Sequence, residues 1–181
     1  MATHFDSIEQ AICGALQSLS GARGWTDAKW TTKVKSSLAK LGKDRGYGVY
    51  ASSISMKLRK GGEFLYDVIW LKQDKGYLLR VPLVAESEWS VAKGAASDDF
   101  QKLLMARADH RLMVLSAKRG HPAAEIIDPL IKEIERCESR ERGDRYLFAS
   151  WLEPSKEFAF RLHVVNRGAR GTVRRRGSKP R

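Results

Sequence analysis

The first forty residues carry their apolar side chains at helical spacing, and the middle of the chain carries them at strand spacing. Phe5, Ile8, Ile12, Leu16 and Leu19 fall on one side of a 3.6-residue period. With Asp6 or Ser7 as N-cap, they predict an amphipathic helix ending near Ser20-Gly21. Thr26 caps a second predicted helix with a buried face of Trp30, Val34, Leu38 and Leu41, and Gly42 is the expected stop. Lys29, Lys33, Lys35 and Lys40 fall on its other faces and read as solvated.

Strand signals follow. Tyr47 to Ile54 alternates weakly, and Met56 to Gly62 is a basic turn region. Glu63 to Leu71 predicts a second strand, and Asp74-Lys75-Gly76 a hairpin turn into a third, Tyr77 to Trp89. Pro82 inside that strand implies a bulge or an unpaired edge. Ser97 is the expected cap of a third helix bearing Phe100, Leu103, Leu104 and Arg107 on one face, and His110 to Leu115 reads as a short buried strand. Pro122 suits the first turn of a fourth helix with Ile126, Ile127, Leu130, Ile131 and Ile134 on its apolar side. Pro129 is expected to kink or split it. Glu138 to Asp144 is a charged loop, and Tyr146 to Leu152 with Glu157 to Val165 predict a closing hairpin around Glu153-Pro154-Ser155. The order α-α-β-β-β-α-β-α-β-β implies an α/β (α+β) fold, one mixed sheet with helices on its faces. Its core should include Trp70, Leu83, Phe100, Leu104, Met113 and Ile131.

At 181 residues the chain suits one domain, placed at residues 1–166. Residues 167–181 form a Gly- and Arg-rich tail without apolar periodicity, expected to be disordered. Thirty-three Lys and Arg against 21 Asp and Glu give a net charge of +12, of which seven charges sit in that tail. Such a balance suggests a polyanion, nucleic acid first, with solubility as the plain alternative. Cys13 and Cys137 are far apart, no Cys/His cluster has zinc spacing, and both read as free thiols. Nothing resembles a signal peptide or a membrane span, so the expectation is a cytoplasmic protein without a membrane partner.

The candidate chemistry lies between Glu63 and Lys102. A carboxylate inside an apolar strand is costly unless it is paired or bound to metal. Glu86 and Glu88 are two apart and project to the same side of their strand, and Asp67 lies on the preceding strand of the hairpin. Lys102 enters from the following helix. Three acids with a lysine suit a Mg²⁺ site for phosphodiester hydrolysis, with Lys102 stabilising negative charge. A hydrogen-bonded structural acid is the alternative for Asp67 and Glu86, and a strand end leaving for solvent is the alternative for Glu88.

This run of acid, strand with Glu-x-Glu and lysine-bearing helix resembles the PD-(D/E)XK nuclease superfamily over roughly residues 5–116. The resemblance implies a restriction-endonuclease-like αβββαβ core and a Mg²⁺-dependent nuclease, with Mn²⁺ as a substitute ion. Asp67 and Glu86 would be metal ligands, joined by Glu88, and Lys102 would be a lysine migrated from the motif position, where this chain has Glu88. Glu9, otherwise a surface glutamate, would match the accessory acid of the first helix. DNA is favoured over RNA as substrate, Arg174, Arg175 and Arg176 would bind its backbone, and cleavage of both strands would favour a homodimer. Two rival classes are a non-catalytic nucleic-acid-binding protein that keeps the fold and a module for an acidic protein partner. His4, His110, His121 and His163 show no triad pattern, and no Gly-rich phosphate loop is present. Among the tryptophans, Trp89 is the one beside the expected site.

Overall fold

The computed structural model describes residues 4–52, 65–90, 95–117 and 122–166. Its elements are α1 (Ser7–Gln17), α2 (Asp27–Asp44), β1 (Gly48–Ala51), β2 (Val68–Asp74), β3 (Tyr77–Glu88), α3 (Ala95–Met105), β4 (His110–Ala117), α4 (Ala123–Arg136), β5 (Arg145–Leu152) and β6 (Glu157–Val164). The element order expected from the pattern is therefore the observed one. The six strands form one mixed sheet in chain order, β1-β2-β3-β4-β5-β6. β3-β4 and β4-β5 are parallel, and the other neighbours are antiparallel.

The two parallel connections run through α3 and α4. Crossovers of this kind share one hand, and the strand order advances in one direction, so both helices lie on the same face. Alternate strand residues divide accordingly. Val68, Trp70, Leu83, Ala85, Leu112 and Val114 pack with α1 and α2. Ile69, Leu71, Val84, Met113 and Leu115 pack with α3 and α4. β4 is covered on both faces, and all eight of its residues are buried.

Several local expectations need correction. Gly42 does not stop α2, which runs on to Asp44. Gly42 is needed for packing instead: a Cβ there would come within 2.5 Å of Trp70 Nε1, and that indole donates to Leu38 C=O in the same helix. Of the strand expected to begin at Glu63, the ladder starts only at Val68, after a bend at residues 65–67; Glu63 and Phe64 lie outside the described residues. Ser97 lies inside α3 rather than capping it, and Arg107 lies beyond its end. Pro129 does not split α4. It sits on the exposed side, where only one backbone bond is lost, while Ile127, Leu130 and Ile134 anchor the buried side. Leu104 and Ile131 are half-buried, whereas Trp70, Leu83, Phe100 and Met113 are fully inside.

Two expectations were met closely. Lys75 (φ 46°) and Gly76 (φ 86°) form a two-residue turn with both residues left-handed, joining the paired Asp74 and Tyr77. The β2-β3 register slips between the Trp70↔Leu83 and Lys72↔Arg80 pairs, which places a bulge at Val81-Pro82. Of the first predicted strand, Gly48–Ala51 is observed; its last two residues, and the basic region Met56–Gly62, lie outside the described residues, as does the tail 167–181 with Arg174, Arg175 and Arg176.

Candidate metal site at the β2-β3-α3 junction

Register alone brings the first groups together. Val68 pairs with both Ala51 and Ala85, so one residue further along, Ser52, Asp67 and Glu86 line up across three strands. The Ser52 N–H donates to Asp67 C=O at 3.0 Å. α3 follows β3 and presents Asp99 and Lys102, three apart, to the same place.

The two strand acids meet different surroundings. Asp67 is surrounded by donors. Its Oδ1 receives Lys35 Nζ at 2.6 Å and Ser52 Oγ at 3.3 Å. Its Oδ2 receives the Ser87 N–H at 3.1 Å and Ser87 Oγ at 2.7 Å. An ionised carboxylate offers about four lone-pair positions, so Asp67 is saturated. Lys35 also donates to Ser52 Oγ at 2.7 Å and is only 6% exposed, so it is not a solvated helix-face lysine.

Glu86 is 3% exposed, and no hydrogen-bond donor among the described residues satisfies its buried Oε1. Lys102 Nζ stands 3.5 Å from that atom and 2.7 Å from Asp99 Oδ1. Burial first, then the Asp67 charge, pushes the Glu86 carboxyl up to about 8, with Lys102 opposing. Burial works against the charge of Lys102, but Asp99 and Glu86 outweigh it and raise its pKa. Tyr66 OH donates to Lys102 C=O at 3.4 Å and ties α3 to the approach to β2.

Of the residues expected from the sequence, Asp67, Glu86 and Lys102 are therefore brought together. Glu88 is not joined to them: its carboxylate accepts from the Ser90 N–H at the strand end. Trp89 is core, 4% exposed and stacked on Trp30 with centroids 5.2 Å apart. Glu9 is neither on the surface nor at this site. It is fully buried on the α1 face, where its carboxylate accepts from Arg145 Nε (2.7 Å), Arg145 Nη2 (2.6 Å) and the Asp6 N–H (2.9 Å). Four participants escaped sequence reasoning: Lys35, Ser52, Ser87 and Asp99. Asp99 had a usable signal, its three-residue spacing from Lys102. Lys35 had none, because its partner is 32 positions away on another element.

Asp6, Glu9 and His110 form the one described group of three whose possible ligand atoms all lie within 4.8 Å of one another. Those atoms are already engaged. His110 Nε2 bonds Asp6 Oδ2 at 2.7 Å, and Arg145 holds both Glu9 oxygens. A cation there would have to displace a guanidinium, which stays charged at every accessible pH. A separate cleft of about 470 Å³ opens at the far end of β3, between Leu79, Met105 and Arg111. Its arginines are matched to acids, Arg80 to Asp109 (2.8 Å), Arg107 to Glu141 (3.8 Å) and Arg111 to Asp144 (3.2 Å), so it is balanced in charge. Among the described residues no helix is long and apolar enough to cross a membrane. Comparison with protein-family models, curated proteins and solved structures found no match for this chain.

Proposed function

We propose that this protein is a Mg²⁺-dependent nuclease acting on DNA, built on a restriction-endonuclease-like core. The observation that carries the reading is Glu86 Oε1, a buried carboxylate oxygen without a hydrogen bond among the described residues, beside a lysine and two further acids. Buried charges persist where they are paired or bind metal, and pKa values this far displaced gather at functional sites. The run α2-β1-β2-β3-α3-β4 follows the αβββαβ order expected for that core.

The donor set is all oxygen, which suits Mg²⁺ or Mn²⁺. Glu86 would hold the ion directly. Asp67, occupied by its four donors, would add negative charge beside it. A bound Mg²⁺ supplies Lewis acidity toward a phosphate oxygen. Lys102, partly exposed at the rim, would meet the negative charge that develops on the scissile phosphate. Lys35 and Ser87 would keep Asp67 in one orientation. The basic tail would contact the DNA backbone without reading sequence.

One observation favours a second reading, a DNA-binding protein that keeps the fold without cleaving. The saturation of Asp67 leaves one strand acid fewer for metal than the resemblance implies. Incubation of supercoiled plasmid with the wild type and Glu86→Gln, in Mg²⁺, Mn²⁺ and EDTA, separates the two. Metal-dependent nicking that the variant loses is the outcome expected of the nuclease. Salt-sensitive DNA binding without nicking, unchanged in the variant, is the outcome of the second reading.

A further inference from the structure

We infer that the second direct carboxylate of the cation site is Asp99, on α3, and that the Lys102 ammonium now holds the place a divalent cation takes. The inference rests on the metal-dependent reading above and adds Asp99 to Glu86, where the resemblance implied Asp67, Glu86 and Glu88.

Lone-pair accounting excludes two of the expected ligands. Both oxygens of Asp67 are taken, by Lys35 and Ser52 on one side and by Ser87 twice on the other. Glu88 is turned to the Ser90 N–H. Two carboxylates remain that face one point, and a cation already sits at that point. Lys102 Nζ lies 2.7 Å from Asp99 Oδ1 and 3.5 Å from Glu86 Oε1. An ammonium is a monovalent, three-donor stand-in for a metal ion, and here it leaves the buried oxygen without a hydrogen bond. A hard divalent ion would satisfy both carboxylates and complete its shell with water on the open side, since the side chains of Asp99 and Lys102 are 27% and 32% exposed.

Charge supports the same placement. Asp67, Glu86 and Asp99 face two lysines, Lys35 and Lys102. Counted with Glu86 ionised, the form that ligates a cation, the three acids exceed the two lysines by one negative charge, and a divalent ion in place of one ammonium brings the site to balance. Lys102 has a way out, because its side chain is 32% exposed and sits on a flexible four-carbon stem. Lys35 has none, at 6% exposure. Binding of the ion would therefore release the lysine toward solvent, where an approaching phosphate would meet it.

The test is Mn²⁺ titration of the full chain, followed by the paramagnetic resonance of the free ion, with Mg²⁺ as competitor. Melting curves run alongside confirm that each variant is folded. Asp99→Asn should weaken Mn²⁺ binding at least about tenfold, the scale on which even outer partners of metal ligands act. Glu88→Gln should leave the affinity unchanged. Lys102→Gln should tighten binding severalfold, because the competing ammonium is gone; a lysine that merely supports the fold would not give that sign. The inference is overturned by a wild type that binds no Mn²⁺ at millimolar concentration. It is equally overturned by an Asp99→Asn protein that binds like the wild type while Asp67→Asn or Glu88→Gln does not. Plasmid nicking keeps the two ideas separable. Asp99-dependent Mn²⁺ binding without nicking upholds this ligand set and sinks the nuclease, whereas nicking that survives Asp99→Asn does the reverse.

Discussion

Two clusters of acids and bases sit on opposite faces of one sheet, and they are satisfied to very different degrees. On the α1 face, Glu9 is buried but receives two guanidinium bonds from Arg145 and a backbone N–H, while Asp6 caps α1 and bonds His110. Burial works against the Asp6 charge, yet the hydrogen bonds from His110 and the Glu9 N–H outweigh it and hold its carboxyl below the ordinary value. On the α3 face, Glu86 is comparably buried, its Oε1 lacks a hydrogen bond among the described residues, and its carboxyl is pushed up to about 8. The first arrangement is finished as it stands. The second leaves a buried oxygen open to a cation or a proton. Proximity of acids alone does not mark an open site, since the tighter cluster is the one whose oxygens are already bonded. Unsatisfied lone pairs are the better guide.

The largest expected effect tests the structural side. Glu9→Ala removes both carboxylate oxygens that Arg145 holds with its paired N–H groups, and one side of the capping box that starts α1. Breaking a buried pair of this kind costs about 3–5 kcal/mol, read as a lower midpoint in urea denaturation. The Mn²⁺ affinity of the folded fraction should not change. A Glu9→Ala protein of wild-type stability that has lost Mn²⁺ binding would reverse the two assignments.

Glu86→Gln should do the opposite, losing the metal response while gaining stability in alkali. A raised carboxyl pKa means that the folded state binds the proton more tightly than the unfolded state. The resulting stability is fully present below about pH 4.5, the ordinary carboxyl value, and is lost as pH rises toward about 8. Relaxation and water entry beside the half-exposed Lys102 hold the loss to on the order of 2 kcal/mol. Glutamine keeps the shape and never ionises, so the variant should be the more stable protein at pH 8.5 and nearly equal at pH 4.5. Urea melts at the two pH values measure this, and an equal response of the two proteins would mean that Glu86 is solvated.

How much of this was legible in the sequence depends on whether the signal was local. Hairpin turns, helix periods and the apolar run His110–Ala117 are local, and the whole element order follows from them. Asp67 and Glu86 were legible as acids in apolar surroundings. What escaped was set by partners distant in the chain. Gly42 looks like a helix stop until Trp70 packs against it. Lys35 looks solvated until Ser52 and Asp67 meet it. Glu9 looks exposed until Arg145, 136 residues on, covers it. Glu88 failed for a different reason: the pleat places it on the side of Glu86, but the side chain is free to turn to its own strand end.

Lys35→Met sharpens the contrast within the candidate site. Asp67 Oδ1 would keep only the 3.3 Å bond from Ser52. Leaving a part-buried carboxylate short of its charged donor costs about 1–3 kcal/mol. The freed oxygen should then compete for the ion, so Mn²⁺ affinity should rise while stability in EDTA falls. Loss of affinity instead would show that Asp67 serves the cation only in the orientation Lys35 imposes.

The smallest expected effect asks whether geometry or charge completes the α1 cluster. Arg145→Lys keeps the positive charge but cannot hold both Glu9 oxygens with two fixed N–H groups, and it loses the bond from Nη2 to the His4 C=O. If charge alone sufficed, urea melts of the two proteins would coincide. The paired geometry, 2.7 Å and 2.6 Å from one planar group, instead argues for a loss of about 1 kcal/mol. That loss should shrink little in high salt, because Glu9 is out of reach of mobile ions. The same salt series on metal binding at Asp99, which is partly exposed, should show clear weakening. A salt response equal on both faces would mean that burial does not separate the two clusters.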